Sequence, residues 1–227
     1  MTSLLALDAS SSACSVALWM DGHVISRVEH APRGHTRRLM PMIDALLDEA
    51  GIARTSLDAI AYGHGPGSFT GIRIAAGVAQ GIAYGLGCPL LGVSTLRALA
   101  RSACQRDGAS LVMPALDARL GELYVALYQV EQGQLKAVLD DAVMAPGALV
   151  LPSCTPGSIT MIGSGVALMD GLSLDVRECI GTSIESRDPE ACDIAQLAAM
   201  DLASGLITSP QEALPIYLRD QVVSSKR

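Results

Sequence analysis

The chain has 227 residues, half of them hydrophobic, 17% charged and only 3% aromatic, with a formal charge of −7. That length supports one large domain or two small ones around a core of Ala, Leu, Val, Ile and Gly rather than rings. The acidic balance argues against unaided nucleic-acid binding, which needs Lys and Arg to neutralise phosphates. Two small basic clusters, Arg33, Arg37 and Arg38, then Arg97, Arg101 and Arg106, read as solvated faces.

Six scattered cysteines (Cys14, Cys88, Cys104, Cys154, Cys179, Cys192) include no C-x-x-C pair. The N-terminus has no basic segment, and Asp8 breaks its short apolar run, so no signal peptide is expected. Together these features predict reduced thiols and a cytoplasmic location. Residues 74–96 carry no charge and are long enough to span a bilayer by count. Gly85, Gly87 and Pro89 divide them into a helix and a short strand, and neither piece spans.

Taken in order, residues 4–7 form a strand that ends at Asp8, followed by the turn Ala9-Ser10-Ser11-Ser12. Residues 14–20 are a second strand, Asp21-Gly22 is a hairpin turn, and residues 23–30 are a third strand. A carboxylate at such a strand end can hold a metal-bound water, and the Ser-rich turn offers donors to phosphate. Equally, Asp8 and Ser10 can close a side-chain-to-backbone turn. Residues 36–51 carry Leu39, Met42, Ile43, Leu46 and Leu47 at helical spacing, and Pro41 predicts a late start or a kink.

A strand over 57–62 then enters the loop 63–73, GHGPGSFTGIR, which holds four glycines and the single Phe of the chain. Strand, glycine loop and helix make the layout of a phosphate cradle, or else a tight turn in which glycines let helix and strand approach. No Lys-Ser or Lys-Thr pair follows, so a Walker loop is excluded. In the helix after it, Gly77, Gly81 and Gly85 recur every four residues. Each interior glycine costs about 1 kcal/mol of helix propensity, which predicts close packing on that face, by the sheet or by a partner's helix.

A strand over 89–93 and a helix over 94–104 complete a βββαβαβα unit with ribonuclease H-like order. Residues 111–116 lead into Asp117, and 122–129 with 135–143 form a second meander. A Pro/Gly-rich stretch, a strand over 158–162, Gly163-Ser164-Gly165, a helix over 189–203 and an extended tail follow. Two meanders whose first strands end in Asp predict a duplicated architecture, divided into residues 1–104 and 105–227, with the tail packing back on the first lobe.

Five segments resemble one family: LALDASSSACSVAL (5–18), GHTRRLMPMID (34–44), GHGPGSFTGIR (63–73), LDARLGELYVALY (116–128) and ALPIYLRD (213–220). They are similar to the TsaB, or YeaZ, family. The resemblance implies an α/β, actin-like fold of two ribonuclease H-like lobes. It also implies a subunit of the bacterial machinery that makes N6-threonylcarbamoyladenosine beside the anticodon of tRNAs reading codons that begin with A. Its implied partners are the larger paralogue TsaD and the ATPase TsaE, with tRNA met only through the complex, no membrane, and homodimers in isolation.

The paralogue carries metal-binding histidines in an H-x-x-x-H, and Thr95 and Leu99 stand at those positions here. Leu cannot ligate a metal and a lone Thr is a poor ligand. No H-E-x-x-H or G-x-S-x-G is present, so neither metal nor catalytic residues are assigned and the old glycoprotease label has no chemical support. The expected partner interface uses the helices 36–50 and 70–85, with Arg38, Leu39, Met42, Ile43, Arg73, Gly77 and Gly81 as candidates. The candidate phosphate contacts are Asp8, Ser10, Gly65, Gly67, Ser68, Asp117, Gly163 and Gly165, with ATP or ADP and Mg placed at the junction with partners. The rival readings are a nucleotide-dependent enzyme acting alone through the same residues, and an adaptor outside tRNA modification.

Overall fold

The computed structural model describes residues 2–30, 34–207, 209–210 and 214–218. Arg33 of the first basic cluster, and Ala213, Arg219 and Asp220 of the closing segment, lie outside them. In the first sheet, β1 (Ser3–Asp8), β2 (Ala13–Met20) and β3 (His23–His30) form an antiparallel meander. The strands β4 (Ala59–Gly65) and β5 (Leu90–Ser94) then add in parallel beside β1, in the order β3-β2-β1-β4-β5.

The second sheet repeats that order. It comprises β6 (Leu111–Arg119), β7 (Glu122–Glu131), β8 (Gln134–Met144), β9 (Ile159–Ile162) and β10 (Ile180–Ile184). Its order is β10-β9-β6-β7-β8, with β6, β7 and β8 antiparallel and β9 and β10 parallel to β6. The chain therefore has the α/β, actin-like fold of two ribonuclease H-like lobes.

Each sheet is covered on both faces, which explains why the central strand β1 is buried throughout. Leu5, Leu7, Val16, Leu18 and Ile60 face the helices α1 (His35–Ala50) and α2 (Phe69–Leu86). The alternate residues Leu4, Ala6, Ala17, Ala59 and Val93 meet α5 (Ala191–Ala203), which comes from the second half of the chain. Conversely, α3 (Thr95–Asp107), from the first half, lays Leu96, Leu99, Ala100 and Ala103 against Val112, Leu116, Ala126 and Ile162 of the second sheet. Helices are exchanged between lobes, so α3 and α5 form a shared middle layer. The far face of the second sheet is closed by Leu149, Leu172 and the short α4 (Leu174–Cys179) through Val176.

Three expectations are corrected. The helix α1 starts at His35 and runs through Pro41 without interruption. Pro41 leaves the Arg37 carbonyl without its helical donor, but both residues lie on the exposed side, open to solvent.

The basic cluster on α3 is not a solvated face. Arg97 makes a bidentate pair with Asp201 at 2.7 and 3.0 Å, Arg101 donates to Gln196 at 2.9 and 3.0 Å, and Arg106 meets Glu190 at 2.8 Å and Asp193 at 3.3 Å. Rising numbers on α3 meet falling numbers on α5, so an antiparallel helix pair uses up the cluster within the chain.

Thirdly, not every thiol is free: Cys154 and Cys179 form a disulfide that ties the loop before β9 to the end of α4. Among the described cysteines Cys14, Cys88, Cys104 and Cys192 are free. No described helix is long and apolar enough to cross a membrane.

Candidate functional site

The glycine loop is built around the turn between β1 and β2. A Cβ on Gly67 would stand 2.6 Å from the Ser10 carbonyl oxygen, and one on Gly71 only 1.8 Å from that of Ala9. Gly63 is as tightly placed, because a Cβ there would lie 2.0 Å from Asp8 Oδ2. Glycine is therefore required for the loop and the start of α2 to close over this turn.

The backbone donors are engaged by the same packing. The N–H of Ser68 donates to the Ser10 carbonyl at 2.7 Å, and that of Gly71 to Ser68 Oγ at 3.4 Å, capping α2. From α3, Thr95 Oγ1 donates to the Pro66 carbonyl and pins the loop from the other side. The side chain of Leu99 is fully buried in the middle layer, as is Thr95.

Asp8 is fully buried beneath this loop. Its Oδ1 accepts from Ser10 N–H at 3.0 Å and Ser10 Oγ at 2.9 Å, the side-chain turn anticipated from sequence, while Oδ2 has no protein partner. Burial pushes its pKa up to about 7, opposed by the two Ser10 bonds and reinforced by the charge of Asp188. His64, on β4, is pushed down to about 4 by burial, and nearby Arg97 also lowers it, so its imidazole is neutral at pH 7.

The second lobe repeats the device. Asp117 at the end of β6 accepts from Arg119 N–H at 2.7 Å and pairs with the Arg119 guanidinium at 3.3 Å. Its own N–H donates to Ser164 Oγ at 3.1 Å. Gly163 donates to the Ile184 carbonyl at 2.8 Å, and Cβ atoms on Gly163 and Gly165 would press on Ala115 at 2.5 and 2.8 Å. In both lobes the glycines admit backbone to backbone. The N–H groups of Ser68 and Gly163 are thus engaged by the chain's own turns, and Gly67 and Gly165 serve the close approach of backbone to backbone.

Of the interface candidates, Arg38 is exposed and pairs with Glu29 at 3.1 Å. Leu39, Met42 and Ile43 are corrected: they form the inner stripe of α1 and lie in the core of the first lobe. Periodicity located an apolar face there but could not say what it met. The face of α2 is different. Among the described residues, Cβ atoms added at Gly77, Gly81 and Gly85 would meet nothing within 4 Å, so the three glycines form an open, flat track there. Phe69 and Arg73 continue the track at the same spacing toward the N-terminal end of α2, and both are exposed.

Sequence reasoning, which expects the tail against the first lobe, names none of the individual contacts made across long separations. Ser94 Oγ and Tyr128 Oη both donate to Asp141, at 2.5 and 2.9 Å, latching the start of α3 to β7 and β8. The tail returns to the first lobe: Gln80 Nε2 donates to the Pro210 carbonyl at 2.5 Å, Tyr62 Oη to that of Leu214 at 3.3 Å, and Ile216 N–H to that of His64 at 2.9 Å. No local pattern signals contacts of this kind.

The family model described as TsaD, tRNA N6-adenosine threonylcarbamoyltransferase, matches residues 28–160. The chain is 37% identical to the tRNA threonylcarbamoyladenosine biosynthesis protein TsaB of Escherichia coli (strain K12), covering 98% of this chain and 97% of that protein. It is 31% identical to the TsaB of Bacillus subtilis (strain 168), over 95% and 93% of the two chains. The solved structure of YeaZ from Pseudomonas aeruginosa superposes with a TM-score of 0.91 at 41% identity, covering 96% of this chain and 100% of that one. With full-length relatives of one name and a matching fold, the chain belongs to the TsaB family of tRNA threonylcarbamoyladenosine biosynthesis proteins.

Proposed function

We propose that this chain is a non-catalytic subunit of the complex that transfers a threonylcarbamoyl group to N6 of the adenosine beside the anticodon. It docks a TsaD-type paralogue and supports its activity, with TsaE as the ATPase of the assembly. The observation that carries the reading is the open glycine track of α2. A helix that keeps three glycines exposed, where Cβ atoms would meet nothing among the described residues, gives up helix propensity without a packing return from those residues. A partner helix that approaches the bare backbone supplies that return.

Two further features support a docking role over catalysis on this chain. Thr95 and Leu99, at the positions of the paralogue's histidines, are buried and one of them holds the glycine loop. Within that loop the N–H groups of Ser68 and Gly71 are taken up by the chain itself. Nucleotide and Mg are accordingly assigned to the junction with the partners, and tRNA to the assembled complex.

The test is co-purification. Gly77→Leu places a branched side chain on the track and is expected to abolish co-elution with the TsaD-type paralogue while leaving the thermal melt of the free chain intact. Unimpaired co-elution of that variant would sink the proposal. Turnover of ATP and Mg by the isolated chain would favour the rival reading of an independent enzyme.

A further inference from the structure

At the N-terminal end of the glycine track stands a small assembly with no role in holding the core. Phe69 is about half exposed, at 53%, although it is the only Phe of the chain. The Arg73 guanidinium lies 3.5 Å from the centre of the Phe69 ring and 5.3 Å from that of Tyr217. The two rings are 5.9 Å apart, and Arg73 Nε donates to Tyr217 Oη at 2.7 Å. The cation is therefore stacked on one ring and held in orientation by a hydrogen bond from a second residue 144 positions away.

The tail that supplies Tyr217 is itself fixed. Its Pro210 accepts from Gln80, its Tyr217 meets Arg73, and Ile216 is bonded to β4 through the His64 carbonyl. Gly65, at φ +107°, admits it, since a Cβ there would lie 3.2 Å from the Ile216 carbonyl oxygen. Arg27, Arg38, Arg54, Arg97 and Arg106 each hold a carboxylate. Arg73 holds none among the described residues, and its Nη1 and Nη2, the fork that binds a carboxylate bidentately, are left for a group from outside.

We propose that Phe69, Arg73 and Tyr217 form a prebuilt carboxylate receptor that seats an Asp or Glu of the partner's docking helix at the N-terminal end of the α2 track. The inference rests on the docking role proposed above and adds the chemistry that sets register. A glycine track alone lets a helix slide along it, whereas one oriented ion pair fixes where it stops. Stacking and the Tyr217 bond hold the guanidinium before the partner arrives, so little side-chain freedom is lost on pairing. A protein carboxylate suits the site better than a nucleic-acid phosphate because the chain carries a charge of −7 and the receptor continues a helix-docking surface.

The test is calorimetric titration of the full chain with the TsaD-type paralogue, at low and high salt. Arg73→Gln is expected to weaken binding by about 10- to 100-fold at low salt, the worth of a charge-assisted bond. Arg73→Lys keeps the charge without the fork and is expected to fall between that variant and the wild type. Tyr217→Phe keeps the ring but releases Nε, and is expected to weaken binding about threefold or more. Arg73→Gln is also expected to flatten the salt dependence of binding. Thermal melts of all three free variants are expected to match the wild type, since Arg73 and Tyr217 are exposed.

Gly77→Leu separates this inference from the reading on which it rests. If it abolishes binding while Arg73→Gln binds like the wild type, the receptor is refuted and the docking face stands. If the wild-type chain does not bind the paralogue, both fall. Unchanged paralogue binding by Arg73→Gln, with loss of tRNA from the complex, also refutes it and assigns the cation to phosphate.

Discussion

Replacing Gly77, Gly81 and Gly85 together by Ala separates what the face of α2 costs the free chain from what it provides in a complex. All three lie within the helix Phe69–Leu86, none has a left-handed backbone, and an added methyl would meet nothing within 4 Å among the described residues. The substitution therefore brings no steric cost, and each site recovers about 0.4–1 kcal/mol of helix propensity and unfolded-state entropy. Three sites give about 1–3 kcal/mol. For a chain of this size 1 kcal/mol moves Tm by about 2–4 °C, so a rise of several degrees is expected in calorimetric melts of the free protein. The same methyls hold an incoming helix off the backbone, so affinity for the TsaD-type paralogue is expected to fall at least tenfold, about 1.4 kcal/mol. An unchanged or lowered Tm would show that the track is packed in the free chain and refute the geometry. A raised Tm with unchanged affinity would leave the track open but place the docking face elsewhere.

Other predictions follow from the buried loop and the disulfide. On the same helix, Gly71→Ala is expected to destabilise the chain by about 3 kcal/mol or more in urea titrations, because its Cβ would stand 1.8 Å from the Ala9 carbonyl oxygen and backbone must move. Asp8 binds a proton up to about pH 7 in the folded chain, against 3.8 for the free group. Between those values the native state holds a proton that the unfolded state has lost, so this group makes stability fall as pH rises and stops doing so above about 7. The full span is up to about 4 kcal/mol, and urea titrations from pH 4 to 8 should show Asp8→Asn losing that slope. Parallel slopes for variant and wild type would refute the assignment. Reduction of Cys154–Cys179, which spans 25 positions, is expected to cost about 3.5 kcal/mol by loop entropy. Thiol titration of the denatured, unreduced chain is expected to count four free cysteines, and a count of six would refute the bridge.

Much of the architecture was legible because it is local. Short apolar runs and the Asp21-Gly22 turn marked the first meander, apolar spacing marked α1, and glycines at 51 and 87 end α1 and α2 in left-handed caps. The duplicated order could be read from Asp8 and Asp117 at matching strand ends. The segment 174–184 was silent, since α4 has six residues and β10 is a short exposed edge strand with neither period nor apolar content enough to stand out.

The sequence by itself determined the fold class, the family and the position of each glycine-rich turn, because these depend on residue type and spacing along one stretch of chain. It could not determine which apolar stripe is core and which is surface. Leu39, Met42 and Ile43 carry the same periodic signal as any docking stripe, and only the sheet packed beneath α1 makes them core. Nor could it show that the arginines of α3 answer α5, or that Tyr217 reaches Arg73, because those partners lie 84 to 144 positions away. Burial and pairing are properties of two surfaces brought together. The sequence names one of them at a time, and tertiary structure alone decides which other one it meets.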